Sequence, residues 1–229
     1  MQIIPVLDLK NGQVVRAEGG RRDSYLPIAT PLSASADPVA VARGLSSLHA
    51  FKTFYLADID AIEGRKPNHH AVDRLSASVG EIWIDAGLSD EDSILSMLEH
   101  GNVHTVIGSE NQSSAALVRR FRDDPRAILS LDFFADGYRG AEGLLDQPNL
   151  WPARVIVMTL ARVGSGTGPD FVRLEEIKRR AGDRFVYAAG GVRNEADLNR
   201  LAEMGIAGAL VASALHDGSL TPDVLGHFE

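Results

Sequence analysis

The sequence predicts an α/β chain closed into a (β/α)8 barrel, and three observations carry that expectation. Short apolar runs alternate with amphipathic stretches almost from end to end. The connections between most of them are short and evenly spaced, which favours closure over an open doubly wound sheet. The chain has 229 residues, near the roughly 250 that such a barrel typically needs.

The runs with strand character are Ile3–Leu7, Thr53–Asp58, Glu81–Asp85, His104–Ile107, Ala127–Asp132, Arg154–Thr159, Phe185–Ala188 and Ala209–Val211. Each is nearly continuous in apolar residues, as a strand covered on both faces must be. Helical patterns fall between them. Asp37–Leu48 opens with Asp37 as an N-cap and Pro38 at the first helical position. Asp90–Glu99 and Glu195–Met204 are followed by Gly101 and Gly205, a common helix stop. Asp170–Ala181 closes with Arg179, Arg180 and Gly182. Two segments break the rhythm: Lys10–Ser35, rich in Gly, Arg and Ser, and Ala161–Gly168, with three glycines. Long loops in a compact domain are often functional, although a tolerated insertion reads the same way. No linker or low-complexity tract divides the chain, so residues 1–229 are expected to form a single domain.

Composition narrows the function classes. The chain is 45% hydrophobic and 24% charged, as soluble globular proteins are. A net charge of −8 argues against nucleic-acid binding, which wants basic surface to replace counterions. It leaves room for an anionic small molecule, because a pocket can be locally positive. Without cysteine there is no disulfide or thiolate chemistry. No apolar run approaches the roughly 18 residues of a membrane helix, and the start lacks the basic region of a signal peptide. A cytoplasmic protein that does not touch membranes is expected.

An internal repeat strengthens the barrel reading. Residues 85–109 align without a gap on residues 189–213, at an offset of 104 (191 − 87). Gly87/Gly191, Glu91/Glu195, Glu99/Glu203, Gly101/Gly205 and Ser109/Ser213 coincide. Each copy reads strand end, glycine turn, helix, glycine stop, strand and small-residue turn. A half-barrel repeated twice explains this, although βαβ units resemble one another in any case.

At this point the residues resemble a known family. Ile3-Ile4-Pro5-Val6-Leu7-Asp8-Leu9, followed by Asn11-Gly12-Gln13-Val14-Val15-Arg16, is similar to the opening of the HisA/HisF family of histidine biosynthesis. Tyr55-Leu56-Ala57-Asp58-Ile59-Asp60-Ala61 resembles its second strand. Gly190-Gly191-Val192-Arg193 and Val211-Ala212-Ser213-Ala214-Leu215-His216-Asp217-Gly218 resemble its closing phosphate-binding half. The likeness covers nearly the whole chain. It implies a TIM barrel of two ancestral halves and an aldose–ketose (Amadori-type) isomerase acting on a phosphorylated, sugar-like substrate. The short chain and the absence of a cysteine in the first strand lean toward the isomerase rather than the cyclase.

Such a rearrangement needs an acid to open the sugar ring and a base to take the proton from the adjacent carbon. Two carboxyl groups in different environments supply both, without metal or organic cofactor. Asp8 and Asp132 end the first and fifth strands, which face each other in an eight-stranded ring, and by resemblance they match the family's catalytic pair. An Asp capping the following turn is the alternative for each. Thr159 matches a family threonine near the substrate; it also reads as a plain β-branched strand residue. Phosphate is expected at backbone N–H groups of tight glycine turns. Gly190-Gly191, the loop glycines Gly164, Gly166 and Gly168, and Ala212-Ser213 would form that site, with Arg193 adding charge. The same glycines would also suit ordinary strand-to-helix turns.

The first half departs from the family. Its substrate in histidine synthesis carries a phosphate at each end, which implies two glycine-rich turns. Here the first turn reads Asp85-Ala86-Gly87-Leu88-Ser89, and a carboxylate stands where a phosphate should approach. Gly87, Gly108 and Ser109 keep part of that site, but Glu110 follows. Val163-Gly164-Ser165 replaces an acidic family motif in the sixth loop. Arg21 and Arg22 in the first loop are candidates to hold an anion, with a solvated pair as the alternative. These departures suit a HisA-like paralogue, and the resemblance extends to HisA-like proteins of organisms that make methanopterin and methanofuran. A third reading is a non-catalytic phosphate-binding protein with a protein partner, since the family's cyclase works with a glutaminase.

Overall fold

The computed structural model describes residues 1–228. Eight parallel strands form the ring: β1 Gln2–Lys10, β2 Thr53–Asp58, β3 Glu81–Asp85, β4 Val103–Gly108, β5 Ala127–Phe134, β6 Arg154–Thr159, β7 Phe185–Ala189 and β8 Gly208–Val211. Each pairs with the next in chain order, and β8 pairs back onto β1 through Gln2↔Gly208 to Pro5↔Val211, which closes the barrel. All eight expected strands are present, with ends shifted by up to three residues.

Strand periodicity of two sorts each run between two cores. Ile4, Tyr55, Trp83, Val106, Ile128, Ile156, Tyr187 and Leu210 fill the barrel. Leu7, Leu56, Ile84, Ile107, Leu129, Val157, Ala188 and Ala209 face the helices. Trp83 and Tyr187 meet edge to face at 4.8 Å inside the ring. The interior is packed, and a cavity opens at the strands' C-terminal ends.

The helices lie where the amphipathic patterns predict. Pro38–Ser46, Glu91–Met97, Phe171–Ala181 and Glu195–Glu203 are capped by Asp37, Asp90, Asp170 and Asn194, whose side chains accept from backbone N–H groups of the first turn. The same residue types that compete with helix in the interior satisfy its orphan donors at the start. Among the described residues no helix is long and apolar enough to cross a membrane.

The structure adds two hairpins, the first inside the expected long loop Lys10–Ser35. β1 turns at Asn11-Gly12, both with positive φ (51° and 75°), and returns antiparallel through Gln13–Arg16. The Asn-Gly pair between apolar runs is the usual signal for this turn. β5 turns likewise at residues 135–136 into Gly137–Arg139. The remainder of the first connection is held too: Leu26–Pro27 adds to the hairpin, and Gly19 N–H donates to the Val163 carbonyl at 2.9 Å.

Gly44 shows how tightly the first loop packs on its helix. A Cβ there would lie 2.0 Å from the Leu32 carbonyl oxygen. Gly→Ala inside a helix ordinarily stabilises by about 1 kcal/mol. Here Gly44→Ala is expected to destabilise by about 1–3 kcal/mol, because backbone must move. Gly101→Ala, with open space around it, is the control. Thermal melting of both variants checks this.

Candidate active site

Inward parity at the strand ends brings Asp8, Tyr55, Asp85, Asp132 and Met158 to one cavity of about 310 Å³. Asp8 and Asp132 each sit where a barrel strand passes into its hairpin. Asp8 pairs with Ala57 on one side and Val15 on the other; Asp132 pairs with Met158 and Arg139. The backbone of both acids is therefore held from two sides.

Their side chains meet different surroundings. The Asp132 carboxylate accepts from Ser130 Oγ at 2.6 Å, Ser109 Oγ at 3.2 Å and Glu110 N–H at 3.0 Å. Among the described residues no hydrogen-bond donor meets the half-buried Asp8 carboxylate. A third acid, Asp85, is buried and accepts from Tyr55 Oη at 3.0 Å and from Gly87 N–H at 3.2 Å. Burial pushes all three carboxyls up: Asp8 to about 7, Asp85 to about 6 and Asp132 to about 7. Asp85 raises both of its neighbours further, while Arg22 draws Asp8 down and the Ser130 hydroxyl draws Asp132 down. Tyr55 stands among the three, its phenol held well above its usual range by burial and then by Asp85.

The phosphate candidates divide. Gly164, Gly166, Gly190, Gly191, Ala212 and Ser213 all line the cavity, on the β6–β8 side. Glycine is obligatory in the turn after β7. A Cβ on Gly190 would lie 2.5 Å from the Thr159 carbonyl oxygen, and one on Gly191 2.4 Å from that of Gly168. Gly168 itself packs against the Arg193 guanidinium rather than lining the cavity. Arg193 reaches the edge, but its guanidinium is committed to Asp197 by two bonds of 2.9 and 2.8 Å.

Other expected site residues lie elsewhere. Thr159 shares parity with Val155 and Val157, which face the helices, and Met158 takes the cavity position instead. Gly87 packs onto the turn at Ile59–Ile62, 2.7 Å from Ile62 Cα to a Cβ placed on it. Gly108 lies between the Asp85 and Asp132 carboxylates. Ser109 is fully buried; its hydroxyl shares one proton between the Arg139 carbonyl at 2.6 Å and the Asp132 carboxylate at 3.2 Å and accepts from the Asp132 N–H at 2.9 Å, so it positions an acid rather than facing the cavity. Arg21 is exposed and pairs with Glu18 at 3.2 Å. Arg22 is not a solvated residue: it lines the cavity and is ion-paired with Glu110, and its backbone carbonyl accepts from Lys10 Nζ at 2.6 Å.

Tyr55, Tyr25, Arg16 and His216 line the cavity without having been singled out. Strand parity alone would have found Tyr55. Arg16 ends the short hairpin strand, His216 ends a one-turn helix after β8 and Tyr25 follows a single 3-10 turn, all too short for periodicity to mark. His216 bonds Thr30 Oγ1 at 3.0 Å, and burial followed by the nearby Arg16 lowers its pKa.

The raised carboxyls have a thermodynamic consequence. A group that binds its proton more tightly when folded contributes stability below its unfolded pKa and loses it as pH rises through the folded value. For Asp85 that window runs from the ordinary 3.8 to about 6. Asp85→Asn is therefore expected to match the wild-type melting temperature near pH 4 and to exceed it progressively toward pH 7. Melting curves across that range check the sign.

Comparison with known proteins agrees with this architecture. A family model described as "Histidine biosynthesis protein" matches residues 2–221. The chain is 29% identical to a 1-(5-phosphoribosyl)-5-((5-phosphoribosylamino)methylideneamino)imidazole-4-carboxamide isomerase of Thermococcus kodakarensis, over 95% of this chain and 93% of that protein. It is 30% identical to the isomerase of the same name from Chloroflexus aggregans, over 96% and 94%. An uncharacterized protein of Methanocaldococcus jannaschii is 25% identical over 96% of this chain and 95% of its own length. With its closed eight-stranded ring and a match running nearly end to end, the chain belongs to the histidine biosynthesis protein family.

Proposed function

We propose that the chain is an aldose–ketose isomerase acting on a phosphorylated, sugar-like substrate, with Asp8 and Asp132 as the proton-transfer pair. The observation that carries this reading is the convergence of two carboxyls from β1 and β5, both raised to about 7, on one cavity. Near neutral pH each exists in both forms, so one can donate a proton while the other accepts. The isomerase names of the relatives support the same reaction class.

The substrate phosphate would sit against Gly190-Gly191, Gly164, Gly166 and Ala212-Ser213. There the obligatory glycines let backbone approach closely, and peptide N–H groups suit an anion. The sugar would extend from that cradle across the ring to the two acids. The acid protonates the ring oxygen, the ring opens to an imine, and the base removes the proton from the adjacent carbon. Proton return completes the aminoketose without loss or gain of electrons. Ser130, Ser109 and the Glu110 amide fix the Asp132 carboxylate for this step. The cap pair Asp90/Asn194 falls at the repeat offset of 104 (194 − 90), which supports a two-half origin for the single barrel domain.

Asp8→Asn and Asp132→Asn are each expected to lower turnover by about 100-fold or more while leaving the circular dichroism spectrum unchanged. The assay is proton exchange at the carbon next to the anomeric centre, followed by NMR in D2O with phosphorylated aminoaldoses. Undiminished exchange in both variants would overturn the mechanism.

A further inference from the structure

The repeat pairs Asp85, Ala86, Gly87, Gly108 and Ser109 in the first half with Ala189, Gly190, Gly191, Ala212 and Ser213 in the second. In the second half these positions open onto the cavity as the cradle described above. The first half has the same frame and the opposite chemistry. Gly87 N–H donates to Asp85 at 3.2 Å, and Glu110 N–H donates to Asp132 at 3.0 Å. The Ser109 hydroxyl proton is likewise taken, by the Arg139 carbonyl at 2.6 Å and the Asp132 carboxylate at 3.2 Å. Arg22, a cavity-lining cation whose charge acts on Asp85, is ion-paired with Glu110. Donors that might have met an anion here are thus already bound to carboxylates.

A phosphate placed at this end would face Asp85, Asp132 and Glu110, and like charges within about 4–6 Å repel. A hydrogen-bond donor bearing positive charge would meet acceptors instead. Asp85 is aimed into the cavity and steadied by the Tyr55 hydroxyl at 3.0 Å, with Tyr55 itself buried. Asp8, two strands away on β1, accepts no hydrogen bond among the described residues. The relatives' name specifies two phosphoribosyl groups, one on each side of the imidazole. Such a molecule does not suit a cavity with one anion cradle and one acidic wall.

We propose that Asp85, clamped by Tyr55, is the specificity-determining residue of the cavity: it selects a substrate with one phosphate and an amino group at the opposite end, and it rejects a second phosphate there. This inference rests on the reading of the Gly190-Gly191 side as the phosphate cradle.

The test is calorimetric titration of the purified chain with three probes: glucosamine 6-phosphate, glucose 6-phosphate and fructose 1,6-bisphosphate. The amino ester is expected to bind about tenfold or more tightly than the neutral ester, the scale of one close charge pair, with the bisphosphate weakest. Asp85→Asn, which keeps the shape, is expected to cut the preference to less than about twofold while glucose 6-phosphate binds as before. Asp85→Ala, matching Ala189 in the other half, gives the same result if the isosteric variant folds poorly. The amino ester's advantage should also shrink below about pH 6, as a proton replaces the ammonium on Asp85. Equal binding of the amino and neutral esters, or an unchanged preference in both variants, overturns the specificity claim and leaves the cradle intact. Failure of all three probes to bind overturns the cradle and this inference together.

Discussion

Pairing of Gln2–Pro5 with Gly208–Val211 closes the ring, and closure converts strand parity into site geometry. In an open sheet, alternate residues of distant strands would lie on one face without meeting. Once β1 bonds β8, every inward residue faces the axis, and the last inward residue of each strand points into the mouth. Asp8, Asp85 and Asp132 are such residues. Three acids far apart in sequence therefore share one partly dry space, and burial raises all three. The cost of crowding them is met locally by hydrogen bonds from Ser130, Ser109, Tyr55 and backbone N–H groups.

On the reading proposed above, the two sides of the mouth divide anion from cation chemistry by a simple device. On the β7–β8 side, glycines without Cβ atoms bring the backbone to the cavity wall. On the β3–β4 side, carboxylates consume the equivalent backbone donors before a ligand arrives. The two sides of one ring would thus present opposite electrostatics without any change in strand order. The first connection ties the sides together. Its hairpin steadies Asp8, Gly19 bonds Val163 above β6, and Arg22 reaches Glu110 above β4.

The strands were legible because each is buried on both faces, so its apolar run is unbroken. Four helices were legible from the Asp37-Pro38 start or from the glycines at their ends, whereas His69–Ser76, with neither signal, was not. The hairpins were not, although Asn11-Gly12 carried the signal, because a two- to four-residue strand has too little periodicity to stand out in a Gly- and Arg-rich segment. Within the site, Asp8 and Asp132 were read from their strand ends and from the family resemblance, and Asp85 from its departure from the family's glycine turn. Thr159 was placed one residue out of parity, with Met158 facing the cavity. Ser109, Arg193 and Arg22 were read for what they might offer a ligand. The sequence does not reveal that Asp132, Asp197 and Glu110 already hold them.

The account stands on Asp8 and Asp132 exchanging protons at neutral pH inside one cavity. Carbon-13 NMR titration of the aspartate carboxyls, assigned with Asp8→Asn and Asp132→Asn, measures this directly. Both midpoints are expected near 7, displaced by burial and by Asp85. Midpoints near the ordinary 3.8 for both would mean two solvated, permanently ionised carboxylates, and would contradict the proton-transfer pair.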